Sequence, residues 1–192
     1  MEREKYGITN SEKIVLFTGR FSPEKGIKEL LLAFRQLDAS NTVLLVVGGY
    51  YFGSGMNSPF EKEMKMIVDS MEGRVKFTRY VDYKKIPEVY LIADIVVIPS
   101  VWDDPAPLTV IESLSAGKPL VTTFSGGIPE YADEDSAIIL RRDNLVDLLT
   151  SAMNELLKNP DKCKRLSENA LKLTKSWSVC EYYESFVKEI LS

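Results

Sequence analysis

PSVWDDPAPLTVIESLSAGKPLVTTFSGGIPE, residues Pro99–Glu130, carries one full period of an alternating pattern. It begins as a proline-stiffened loop and continues into an apolar helix start at Leu108. A Gly117-Lys118-Pro119 turn, a short apolar strand and a Gly126-Gly127 turn follow. One acid, Asp104, sits in the loop, and a second, Glu112, lies eight residues on, inside the helix. Two acids placed so can reach the two ends of one extended polar ligand.

The same alternation extends outward in both directions. Strands are predicted over Ile14–Thr18, Val43–Val47, Val75–Thr78, Ile95–Ile98, Leu120–Thr123 and Ala137–Leu140. Most are nearly continuous in Val, Ile and Leu, as expected when both faces of a sheet are covered. Helices are predicted at Ile27–Leu37, Pro59–Met71, Ile86–Ile92, Leu108–Ala116 and Ile128–Ala132. Leu30, Leu31, Phe34 and Leu37 fall on one helical face, and Pro87 suits a first turn, where its missing N–H costs nothing. Repeated strand–helix units define an α/β protein with a single Rossmann-like, doubly wound, parallel six-stranded sheet. After Leu140 the pattern changes to three helices without strands, Asn144–Leu157, Asp161–Leu173 and Val179–Leu191. Trp177, Tyr182, Tyr183 and Phe186 load the last of them with apolar surface. The stretch Gly48–Gly55 reads as a flexible loop after the second strand.

The chain has 192 residues, 45% hydrophobic and 27% charged, an ordinary balance for one large domain with a sizeable core. Its net charge of −4 argues against nucleic acid or an anionic membrane as the main partner. There is no histidine, which removes Ser-His-Asp and Cys-His catalysis and His-ligated zinc. Chemistry must come from carboxylates, Lys, Arg, hydroxyls and backbone groups. Cys163 and Cys180 read as unpaired thiols, and the charged N-terminus has no apolar core of a signal peptide. No apolar run approaches the roughly 18 residues that span a bilayer. A cytoplasmic location is the expectation.

The first strand ends in Gly19-Arg20-Phe21-Ser22-Pro23-Glu24-Lys25-Gly26 and leads into a helix. Ligands approach the carboxyl ends of strands in such sheets. Arg20 can bind phosphate oxygens bidentately and Lys25 adds a point charge, so the loop suits a diphosphate. It matches neither GxGxxG nor GxxxxGK[ST], and Gly117-Lys118-Pro119 lacks the Ser or Thr of a P-loop. Glu112 is either an N-terminal helix acid or a two-oxygen acceptor for a ribose diol. Asp104 is either a plain turn residue or a contact to sugar hydroxyls. Ser125-Gly126-Gly127 is either a tight turn or a close backbone approach to phosphate. Asp133-Glu134-Asp135 lies in a polar turn, and Asp103-Asp104 has no third ligand near in sequence, so no metal site is expected. Taken together, the two acids and two cations point to a nucleotide-sugar site.

These motifs stand in an order that resembles the donor-binding, C-terminal domain of retaining GT-B glycosyltransferases of the group 1 type. GRFSPEKGIKELLLAF, VLLVVGG, VKFTRYV, IPEVYLIADIVVIPS, ESLSAGKPLVTTFSGGIPEYA and the final SW…YYESF carry the resemblance over nearly the whole chain. It implies that Arg20 and Lys25 hold the donor diphosphate and neutralise the leaving group. Asp104 would take the first acid position of the family's E-x7-E motif and Glu112 would bind the ribose. Backbone around Ala106, Pro107, Leu108 and Thr109 would meet phosphates and sugar. Val81 and Tyr83 would flank the base, with Gly19 lining the donor site. Two departures stand out: Asp104 is one methylene shorter than Glu, and Pro105-Ala106-Pro107-Leu108 replaces Pro-Phe-Gly-Leu, so Pro107 lacks an N–H.

The resemblance further implies retaining transfer of a hexose-type sugar to a glycan or polysaccharide, with no cofactor beyond the nucleotide-diphospho-sugar substrate. The chain would be the donor half alone, with the N-terminal acceptor-binding domain absent and transfer by the isolated half close to nil. Any peripheral membrane association would come through that absent half. Two other readings remain: a stand-alone, non-catalytic nucleotide-binding or assembly module, and a response-regulator or flavodoxin-like domain. The last is disfavoured because neither the first nor the third strand ends in a suitable acid cluster.

Overall fold

The computed structural model describes residues 2–48, 58–78 and 80–178, and beyond them residues 180, 181, 184, 187 and 188. Among the described residues six strands form one sheet: β1 (Lys13–Thr18), β2 (Thr42–Val47), β3 (Val75–Phe77), β4 (Ile95–Ile98), β5 (Leu120–Thr123) and β6 (Ala137–Leu140). Their order is β3-β2-β1-β4-β5-β6 and every pairing is parallel. The winding reverses between β1 and β4, and that switch point is where doubly wound sheets take ligands.

Among the described residues the helices bounded at both ends are α1 (Glu2–Lys5), α2 (Ile27–Arg35), α3 (Pro59–Asp69), α4 (Ile86–Ile92), α5 (Leu108–Ser115), α6 (Ile128–Tyr131), α7 (Leu145–Lys158) and α8 (Pro160–Thr174). Alternation along each strand feeds two cores. Val15 and Phe17 of β1 join Leu44, Val46, Val97 and Val121 against α2, α3 and α7. Ile14 and Leu16 join Val43, Leu45, Val96 and Ile98 against α4, α5 and α6. With both faces covered, β2, β4 and β5 are buried along their whole length.

β4, β5, β6 and α4 coincide with the predicted spans, and the other ends shift by one or two residues. Thr78 falls outside β3, yet its N–H still donates to Val46 O at 3.1 Å. Helix α2 stops at Arg35, and Leu37 beyond it stays buried with Leu30, Leu31 and Phe34. Most of the predicted helix Val179–Leu191, and all of the loop Gly48–Gly55 except Gly48, lie outside the described residues. Trp177 meets Tyr131 edge to face, ring centres 6.1 Å apart. Both cysteines are free thiols.

Two loops must lie together for the site to form. Gly26, at φ 67°, ends the 3-10 turn Pro23–Lys25 and opens α2. A Cβ there would stand 1.8 Å from Pro99 O, so only glycine lets the first loop pack on the end of β4. Val101 N–H donates to Glu24 O at 3.0 Å and closes that contact.

Candidate functional site at the carboxyl edge of the sheet

Three neighbouring clefts run along the carboxyl edge at the β1/β4 switch. One, of ≈ 330 Å³, is walled by Arg20, Glu24, Lys25, Trp102 and Asp104. The next, of ≈ 280 Å³, shares Arg20 and adds Gly19, Val81, Tyr83, Thr109 and Glu112. The third, also ≈ 280 Å³, shares Tyr83 and Glu112 and reaches Tyr90 and Ser115. Among the sequence-predicted site residues, Gly19, Arg20, Lys25, Val81, Tyr83, Asp104, Thr109 and Glu112 therefore wall one trough. Ala106, Pro107 and Leu108 are not in these walls; Pro107 is buried at the start of α5 and Leu108 is 64% exposed.

At the first cleft Lys25 Nζ donates to Asp104 Oδ2 at 2.7 Å, with only 21% and 24% of the two side chains exposed. Asp104 Oδ1 accepts from Ala106 N–H at 3.2 Å. The Lys25 hydrogen bond, helped by the Ala106 N–H and the charges of Lys25 and Arg20, holds the Asp104 carboxyl below its ordinary range, against the effect of burial. The Ala106 N–H is thus engaged by Asp104 itself. The Arg20 side chain lines both of the first two clefts and forms no hydrogen bond or ion pair among the described residues.

The acid loop is held from behind. Gly127 N–H donates to Asp104 O at 2.9 Å, and Gly126 N–H donates to Asp103 Oδ1 at 3.0 Å. Arg142 bonds Asp103 Oδ1 and Val101 O, both at 3.1 Å. A Cβ on Gly126, whose φ is 50°, would come within 2.4 Å of Asp104 O. Of the two readings of the Gly-Gly turn, the tight turn is the one the packing requires, because these glycines admit the acid loop. Asp133 likewise has a local role: Oδ1 accepts from Ser136 N–H at 2.8 Å and from its hydroxyl at 2.7 Å.

At the other end of the trough Glu112 Oε2 accepts from the Tyr90 hydroxyl at 3.0 Å. That hydroxyl also lies 2.9 Å from Thr18 Oγ1 at the end of β1. Sequence reasoning missed Thr18 and Tyr90. Within IPEVYLIADIVV a phenol looks like any core aromatic, and nothing in the local pattern reveals where its oxygen ends. Trp102, 62% exposed beside Asp104, was also passed over.

A parallel sheet in this strand order, with cations, acids and aromatic side chains at its switch point, defines a protein of the Rossmann-like, doubly wound α/β class. Residues 1–173 match the family model described as glycosyl transferases group 1, and the chain belongs to that family. It is 27% identical over 173 residues to the putative glycosyltransferase YtcC of Bacillus subtilis, covering 88% of this chain and 42% of that one. It is 30% identical over 156 residues to the D-inositol 3-phosphate glycosyltransferase of Mycobacteroides abscessus, covering 81% of this chain and 34% of that one. The chain thus spans less than half the length of these relatives. The crystal structure of Anabaena Alr3699/HepE in complex with UDP and glucose superposes with a TM-score of 0.85. At 21% identity, over 98% of this chain and 50% of that one, this is a likeness of fold.

Proposed function

We propose that this chain binds a nucleotide-diphospho-sugar along the carboxyl edge of its sheet and serves as the donor half of a glycosyltransferase. The observation that carries the reading is the single trough that has Arg20 and Lys25 at one end and the Glu112 carboxylate at the other. In this reading Arg20 and Lys25 bind the diphosphate, Glu112 accepts from the ribose hydroxyls, and Tyr83 and Val81 flank the base. The backbone from Ala106 to Thr109 would face the phosphates and sugar, and Asp104 would stand beside the sugar.

Transfer breaks the bond between the anomeric carbon and the diphosphate oxygen. Negative charge then grows on the leaving diphosphate, where two pre-placed cations stabilise the transition state most. Retention, a hexose-type donor and a glycan acceptor complete the proposal, and Arg20 and Lys25 would supply the leaving-group charge without a metal. The relatives named above support a transferase, and the half-length match supports a separate acceptor-binding half.

A thermal-shift panel of UDP- and GDP-sugars in metal-free buffer tests the proposal. A ligand at a hundredfold its Kd adds about 2.7 kcal/mol to stability. For a chain of this size that raises Tm by about 5–10 °C. No shift with any sugar nucleotide would contradict the reading.

A further inference from the structure

Tyr90 is 2% exposed, within helix α4, yet it lines the third cleft together with Tyr83 and Glu112. Three acceptors surround it: Thr18 Oγ1 at 2.9 Å, Glu112 Oε2 at 3.0 Å and Thr109 O at 3.4 Å. A phenol has one proton, and a carboxylate only accepts. The charged and nearer oxygen of Glu112 therefore takes that proton rather than the Thr109 carbonyl. The Thr109 carbonyl is already served by Ser113 Oγ at 2.8 Å. The Thr18 hydroxyl then donates its own proton to the Tyr90 oxygen. The chain of donors runs Thr18 to Tyr90 to Glu112, from the end of β1 across α4 to α5. Among the described residues Glu112 Oε1 has no hydrogen-bond partner.

We propose that Tyr90 is the positioning residue that orients the Glu112 carboxylate for the two ribose hydroxyls of the donor, and so sets the preference for ribose over deoxyribose. The inference rests on the nucleotide reading above. With Oε2 tied down by a rigid, buried donor, the carboxylate plane is held before the ligand arrives, and Oε1 is left for a hydroxyl. Pre-organisation of this kind lowers what binding must spend on ordering the side chain. Burial raises the pKa of the Tyr90 phenol well above its ordinary value, so it keeps its proton at neutral pH.

Calorimetric titration of the 192-residue chain with UDP and GDP, and with their 2′,3′-dideoxy counterparts, tests this. Tyr90→Phe keeps the ring and removes only the oxygen, and a circular-dichroism melt checks that the variant is folded. The wild type is expected to prefer the ribose form by about tenfold or more, and Glu112→Gln to abolish that preference. Tyr90→Phe is expected to cut the preference about three- to tenfold, with binding of the dideoxy form unchanged. A Tyr90 with only a packing role would lower Tm and leave the preference intact. If wild type prefers ribose, Glu112→Gln loses the preference and Tyr90→Phe keeps it whole, the inference is overturned and the nucleotide reading survives. If wild type binds no nucleoside diphosphate at all, both are overturned.

Discussion

Asp104 and Lys25 meet at 2.7 Å although 79 positions separate them in sequence. A diphosphate entering this end of the trough must share Lys25 with that acid. Because the folded-state pKa of Asp104 is depressed, ionised Asp104 stabilises the fold above its unfolded value, near 4. That stabilisation is lost as pH falls through the still lower folded value. Asp104→Asn is therefore expected to cost about 1 kcal/mol at pH 7, and the gap to wild type to close below about pH 4. Urea melts at a series of pH values check this; a gap that is constant from pH 7 to pH 3 would contradict it. The same variant is expected to bind UDP more tightly, because Lys25 is released. That Arg20, Lys25, Asp104 and Glu112 would stand at the carboxyl edge was legible from the sequence, because they follow the apolar runs of β1 and β4. The pairing of Lys25 with Asp104 was not, since spacing along the chain says nothing about which loops the sheet brings together. Tyr90 was hidden for a different reason: its ring obeys the core pattern and only its oxygen departs from it.

The elements of the carboxyl edge depend on close backbone packing between loops. Gly26 joins the Arg20–Lys25 loop to Pro99, and Gly126 and Gly127 join the Asp103–Pro105 loop to the turn after β5. Gly26→Ala would put a side chain into a left-handed conformation and drive it against a backbone carbonyl. The expected cost is more than about 2 kcal/mol, a fall in Tm of at least about 4–8 °C, with nucleotide affinity falling as Lys25 is displaced. A Gly26→Ala variant that melts with wild type would refute this packing. The strands were legible almost to the residue because β-branched runs buried on both faces have no competing periodicity. Helix ends were less so. Leu37 continues the apolar stripe of α2, but the helix stops at Arg35 and Leu37 reaches the core from the turn beyond. Hydrophobic spacing reports burial, and burial outlasts the helix.

On the scale of the molecule, the strand order puts β1 and β4 side by side, so that the loops after them supply one end of the trough and helix α5, after β4, supplies Glu112 at the other. Alternation of strands and helices was enough to infer that sheet, and the first two of the three strandless helices expected after β6 are α7 and α8, while most of the third, Val179–Leu191, lies outside the described residues. Of these, α7 packs on α2, with Leu149, Met153 and Leu156 buried in the same core as Phe34, while α8 packs across α5. The site-bearing edge is thus backed by helices on both faces. The central claim is that one trough holds both the diphosphate and the ribose of a sugar nucleotide. Isothermal titration of the wild type and of the Arg20→Ala, Lys25→Ala and Glu112→Ala variants, against UDP- and GDP-sugars in metal-free buffer, tests it most directly. The expected result is binding by the wild type and at least about tenfold weaker binding by each variant, as the loss of one charged hydrogen-bonding partner should produce. Affinity unchanged in both Arg20→Ala and Glu112→Ala would contradict the claim.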